Sequence, residues 1–204
     1  VWSELLIILT SALGAAYIFT AFDGKHRDVK NVGLFTLLCI VIFQLNQFLD
    51  YSSNISSIVT EVLYLSIFSL VLTFLLLTIR KLKPEFARYP YPIAFIPVLI
   101  VVLYPLIIGN ESILNLVGQL LQLAGLLTLL LLIISHLEHS RIIATTSISF
   151  ILFLSGAAIY WFDGSIPIGS WLWQSLVAVA IALISYSMTK FYNNNEAVNR
   201  YEIK

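Results

Sequence analysis

Glu61 is the residue whose setting most invites chemistry. It stands within a long apolar run, with Ser57 one helical turn before it, Tyr64 one turn after and Phe68 a turn further on. A carboxylate held away from bulk water is stabilised by taking up a proton or a cation, and intramembrane carboxylates mark such sites. At about 100° per residue, other polar groups fall on stripes of the same kind. Gln44 and Gln47 share an arc with Tyr51, and Glu111, Asn115, Gln119 and Gln122 stack along another segment. Gly156, Tyr160 and Asp163 align, as do Trp171, Gln174 and Ser175. The expectation is a polar, acidic, aromatic-walled cavity for a small ligand or cation. Its binding residues would be Gln44, Gln47, Glu61, Tyr64, Asn115, Gln119, Gln122, Tyr160, Trp171 and Gln174. The alternative for each Gln or Asn taken singly is interhelical hydrogen bonding without a ligand.

Other patterns promise less. His136 and His139, in the run HLEH, are three apart on one helical face, but no third ligand stands at a convincing spacing, so no metal is expected. Asn54 to Ser56 and Asn110 to Ser112 match N-glycosylation acceptors in links too short to make much of them. Cys39 is the single cysteine, so it has no partner within the chain and reads as a small packing residue. Small residues on one face near residues 3–21 (Ser3, Thr10, Gly14) and again near 174–189 (Ala178, Ala182, Ser185) suggest close helix packing.

The elements that must position these groups follow from composition. The 204 residues are 59% hydrophobic and 11% charged, with mean hydropathy +0.94, where a soluble domain carries about 25% charged residues. A soluble domain of this size has too little interior to hide that apolar surface, so it must face lipid. Apolar stretches suited to helical spans cover residues 2–22, 32–49, 58–79, 93–108, 113–135, 142–162 and 168–189. The fold class expected is an all-α integral membrane protein of about seven transmembrane helices in one bundle, over residues 1–190, with a short polar cytoplasmic tail over 191–204. The first span lacks a preceding basic region and reads as retained, not as a cleaved leader. The fourth span is short and carries Pro97 and Pro105, which predicts a kink.

Every Lys and Arg falls in alternate links or the tail, while Glu4, Asp50, Glu61, Glu111 and Asp163 fall at the other ends with no basic residue among them. By the positive-inside rule the N-terminus is outside and the C-terminus cytoplasmic. Trp2, Trp161, Trp171 and Trp173 at the outer ends, and Tyr89, Tyr91, Phe191 and Tyr192 at the inner ends, agree as interfacial belts.

Several functions are disfavoured. Microbial rhodopsins share the seven-span layout but hold retinal on a lysine within the seventh span, and residues 168–189 contain none. There is no nucleotide loop and no nucleophile beside an intramembrane histidine. No cofactor and no nucleic-acid partner are expected. The leading expectation is a non-enzymatic module of the cell membrane, a sensor or accessory subunit working with another membrane or cytoplasmic signalling or transport subunit. A small-solute or cation transporter is the alternative, and an intramembrane enzyme the third.

Overall fold

Inside hydrocarbon each backbone N–H and C=O needs a partner within the chain, and a lone contiguous segment finds one only as a helix. The computed structural model describes residues 2–22, 26–49, 54–82, 84–106, 110–136, 141–162 and 170–194, and every element among them is helical. The helices are α1 (Trp2–Ala21), α2 (Arg27–Phe48), α3 (Asn54–Leu82), the single turn α4 (Pro84–Ala87), α5 (Ile96–Val102), α6 (Glu111–His136), α7 (Arg141–Phe162) and α8 (Ser170–Asn194), with 3₁₀ turns at Tyr91–Phe95 and Tyr104–Leu106. Five stretches are long and apolar enough to cross a membrane: Trp2–Ala21, Arg27–Phe48, Ser56–Lys81, Ser112–Leu131 and Trp171–Asn193. Tyr91–Leu106 and Thr145–Gly156 are shorter apolar stretches.

Six long helices close into a ring in the order α1, α2, α3, α6, α7, α8 and back to α1, and α5 lies against α3. Side-chain pairs fix the directions. Ser3 donates to Gln174 and Asn193 donates to the Ala21 carbonyl, so α1 and α8 run parallel and nearly in register. Asn46 meets Ser56 and Thr60 while Lys81 meets Asp28, so α2 and α3 are antiparallel. Gln122 reaches Tyr64, and Leu129 packs beside Phe74 and Leu75, so α3 and α6 are parallel. Arg27, Lys30, Arg80, Lys81 and Lys190 thereby share one end of the bundle, the basic end, and Glu4 and Glu61 belong to the other, the acidic end. In its apolar stretch, 67% of α3 is buried against 22% of α1, which makes α3 the central helix and leaves α1 largely open to its surroundings.

The connection from α3 to α6 must travel the length of α3, because those two helices are parallel. Tyr91 sits under the Arg80 guanidinium, 5.5 Å from ring centre, and Tyr104 bonds to Glu61. Arg80 and Glu61 are separated on α3 by about 28 Å of helix axis at 1.5 Å per residue. Residues 91–104 as pure α-helix would cover only about 20 Å. The 3₁₀ turns at both ends, with a rise near 2.0 Å per residue, lengthen the segment, and long side chains complete the reach. Pro92 and Pro97 lie in the first turns of their elements, where a missing N–H is harmless. The expected kink is thus a segment broken into three short helical pieces.

The expected boundary at residue 190 falls inside α8, whose Phe191 and Tyr192 are buried in the core; residues 195–204 lie outside the described residues. Cys39 is buried and unbonded to another cysteine. At Gly14 α1 and α8 are tightly packed: a Cβ there would overlap Ser185 Oγ and stand 3.3 Å from Ser185 Cβ. Gly14→Leu should therefore lower the unfolding free energy by about 1–3 kcal/mol through overpacking, read by denaturant titration in detergent micelles. Ala12→Leu, on the exposed face of α1, should leave it nearly unchanged. Equal stability of the two variants would sink the α1–α8 register.

Candidate functional site

Glu61 lies on α3 toward the acidic end and is half-buried. The Tyr104 hydroxyl donates to its Oε2 at 2.7 Å, and Ser57 Oγ lies 3.5 Å from Oε1. Tyr104 is itself buried, at 4% exposure, so the broken segment delivers a desolvated phenol to the carboxylate. At 2.7 Å this is a well-formed O–H···O hydrogen bond. One turn deeper, Gln122 of α6 donates its Nε2–H to Tyr64 Oη at 3.3 Å, and the Tyr64 ring meets Phe68 edge-on at 4.9 Å. Glu61, Tyr64, Tyr104 and Gln122 thus gather on α3, α6 and the broken segment.

Gln44 of α2 and Gln174 of α8 also face inward, at 5% and 7% exposure. Gln174 accepts the Ser3 hydroxyl, tying α8 to α1. Gln44 lines a cavity of about 60 Å³ with Tyr64 and Trp173. A second cavity of about 40 Å³ lies toward the basic end between Leu37, Val71, Phe74, Phe150 and Ile181. Neither approaches the roughly 300 Å³ that organic ligands occupy.

The remaining expected ligands do not converge with these. Gln47, Asn115, Gln119 and Trp171 are exposed on the outside of the described bundle, and the side chain of Tyr160 lies outside the described residues. On α6 the inward face is Leu114, Gly118, Leu121, Gln122 and Gly125, so the polar stripe straddles its edge and only Gln122 turns in. Among the described residues, the expected ligands do not line one cavity but fall into two small polar groupings built on Glu61 and on Gln44.

A further polar network at the basic end escaped the sequence reading. Lys81 Nζ lies 3.0 Å from Asp28 Oδ1 and 3.0 Å from His26 Nδ1, and Tyr91 Oη donates to Asp28 Oδ2 at 3.0 Å. His26 is fully buried, its ring 5.2 Å from that of Tyr192, whose hydroxyl is 2.7 Å from Thr78 Oγ1. This latch joins α2, α3, α8 and the start of the broken segment. Charged residues at span ends read as an interfacial fringe in sequence, and nothing in their spacing links positions 28, 81 and 91. Tyr104 was missed for a similar reason, since it belongs to the short fourth stretch and faces a residue 43 positions away.

Several hydroxyls within the spans are spent on their own helices: Thr36, Ser66, Thr73, Thr128, Ser149 and Ser185 each donate to the carbonyl four residues earlier. Asn110 Oδ1 accepts from the Ile113 N–H and caps α6, which gives that asparagine a structural role. Among the described residues no three His, Cys, Asp or Glu side chains converge on a possible metal position, and Glu138 and His139 lie outside them. Comparison with protein-family models, with curated proteins and with solved structures finds no match to this chain.

Tyr104→Phe removes the donor to Glu61 and keeps the ring. It should lower stability by about 1–3 kcal/mol, the cost of leaving a buried acceptor without its partner. The same change should cost clearly less in a Glu61→Gln background, a coupling that a double-mutant cycle in micelles reads directly. Additive losses would show that the two groups do not interact.

Proposed function

We propose that this chain is a seven-span module of the cell membrane, N-terminus outside and C-terminus in the cytoplasm, that binds a small cation through Glu61. It then works as a sensor or accessory subunit by presenting its altered helix packing to a membrane or cytoplasmic partner. The observation that carries this reading is the Tyr104–Glu61 hydrogen bond, which holds a half-buried carboxylate at the acidic end of the bundle. Parallel α1 and α8 support an odd number of crossings, and the segment that travels from Arg80 to Glu61 is the proposed seventh beside the five long apolar stretches and α7. The one-sided distribution of Lys and Arg favours the stated orientation.

A cation suits the acidic end electrostatically. Its carboxylates have no basic counter-charge in the sequence on that side, and a low-dielectric surround concentrates such a field. The small cavity beside Gln44 and Tyr64 favours an ion or proton over an organic solute there. A transporter would need a polar route onward through the basic half. There the walls are Ile18, Leu37, Val71, Phe74, Ile181 and Met188, and Thr73 and Ser185 are turned back onto their own helices. That packing favours a binding module over a conduit.

The test is calorimetric titration of the protein in lipid nanodiscs with sodium, potassium, calcium and ammonium chlorides from pH 5 to 9, beside Glu61→Gln. Protons and cations compete for one carboxylate, so wild-type affinity for the bound ion should rise with pH and Glu61→Gln should lose binding at least tenfold. Equal behaviour of the two proteins across pH would remove Glu61 from any ligand site.

A further inference from the structure

Gln44 poses a problem that the protein alone does not solve. Its side chain is 5% exposed, and among the described residues its carboxamide makes no hydrogen bond. A primary amide offers two N–H donors and a carbonyl with two lone pairs. Gln44 stands about one turn from the acidic-end terminus of α2, and leaving a largely buried amide unpaired is costly, since buried polar groups in native proteins are nearly always paired with protein or with ordered water. The amide borders the cavity of about 60 Å³, whose other polar-bearing walls are Tyr64 and Trp173. The remaining walls are Ile40, Phe43, Ile67, Phe68, Phe153 and Val177.

The volume and the lining together select the guest. A water takes up about 30 Å³ in the liquid, so about two fit, whereas a cavity that binds benzene is about 150 Å³. A bare cation would need several oxygen ligands, and this wall offers the Gln44 carbonyl and the Tyr64 hydroxyl. An apolar guest would leave the amide as it is. We infer that ordered water occupies this cavity, hydrogen-bonded to the Gln44 carboxamide, on a wall shared with Tyr64. Since Gln122 donates to Tyr64 and Glu61 lies one turn away on α3, the water extends the polar line of the acidic half across to α2. The inference stands whether or not Glu61 binds a cation.

Two measurements on the protein in nanodiscs test it. Water-edited NMR of the protein with labelled glutamine side chains should show transfer from long-lived water to the Gln44 amide protons. Under xenon pressure the methyl resonances of Ile40, Ile67 and Val177 should not shift in wild type, because a wet cavity excludes xenon and a dry apolar one admits it. Gln44→Leu should dry the cavity, abolish any water contact there and make the same methyls respond to xenon. Xenon uptake by the wild-type cavity would overturn the inference, as would absence of water transfer to the Gln44 amide. Should Gln44→Leu fail to fold, the two wild-type readings decide the matter alone.

Discussion

In hydrocarbon a polar group has no water to fall back on, and much of this bundle's arrangement sets such groups beside partners inside the chain. Helix ends show it most plainly, because their last carbonyls have no partner in their own helix. At the end of α1, Lys30 Nζ donates to the Phe19 carbonyl at 2.8 Å and Asn193 donates to that of Ala21 at 2.8 Å. Arg80 gathers the carbonyls of Phe86, Ala87 and Tyr89, closing the turn between α3 and the broken segment. Cations at helix C-termini also complement the helix dipole. The basic side chains thus stitch that end of the bundle together.

That end, with the Lys81–Asp28–Tyr91 latch, fixes where the broken segment starts, and Glu61 fixes where it finishes. Between those anchors the chain has too few residues for one continuous α-helix, so it stretches through 3₁₀ turns, and its prolines fall where those pieces begin. Tyr104 is buried against α3 as a consequence, and a phenol without water must bond to something nearby. Glu61 is that acceptor. The candidate site is therefore produced by the length mismatch between a short segment and a long helix, and the packing of the basic end holds it in place.

Much of this architecture was legible in the residues. Apolar stretches located the long helices, the prolines marked the irregular segment, and Glu61, Tyr64, Gln122, Gln44 and Gln174 were picked out as inward-facing polar groups. Helical phase alone misplaced Asn115 and Gln119. A stripe some 60° wide lies on the boundary between the core and the outside, and only the packing of Gly118 and Gly125 decides which edge turns in. Gln47 has the helical phase of the buried face of α2 but lies in its last turn, where it is exposed. Partners such as Tyr104 for Glu61, or Lys81 for Asp28, depend on which helices adjoin. That is a property of the ring order, which no single-span periodicity encodes.

The central claim is that the segment over residues 91–106 runs along α3 from the basic end to the acidic end and so brings Tyr104 to Glu61. Membrane-impermeant maleimide labelling of single cysteines, in a Cys39→Ala background in intact cells, tests it directly. Ser112→Cys and Arg88→Cys stand on exposed positions on either side of the segment. Labelling of Ser112→Cys in sealed cells, with Arg88→Cys reacting only once the membrane is opened, is the predicted result. Labelling of both from the same side would contradict it.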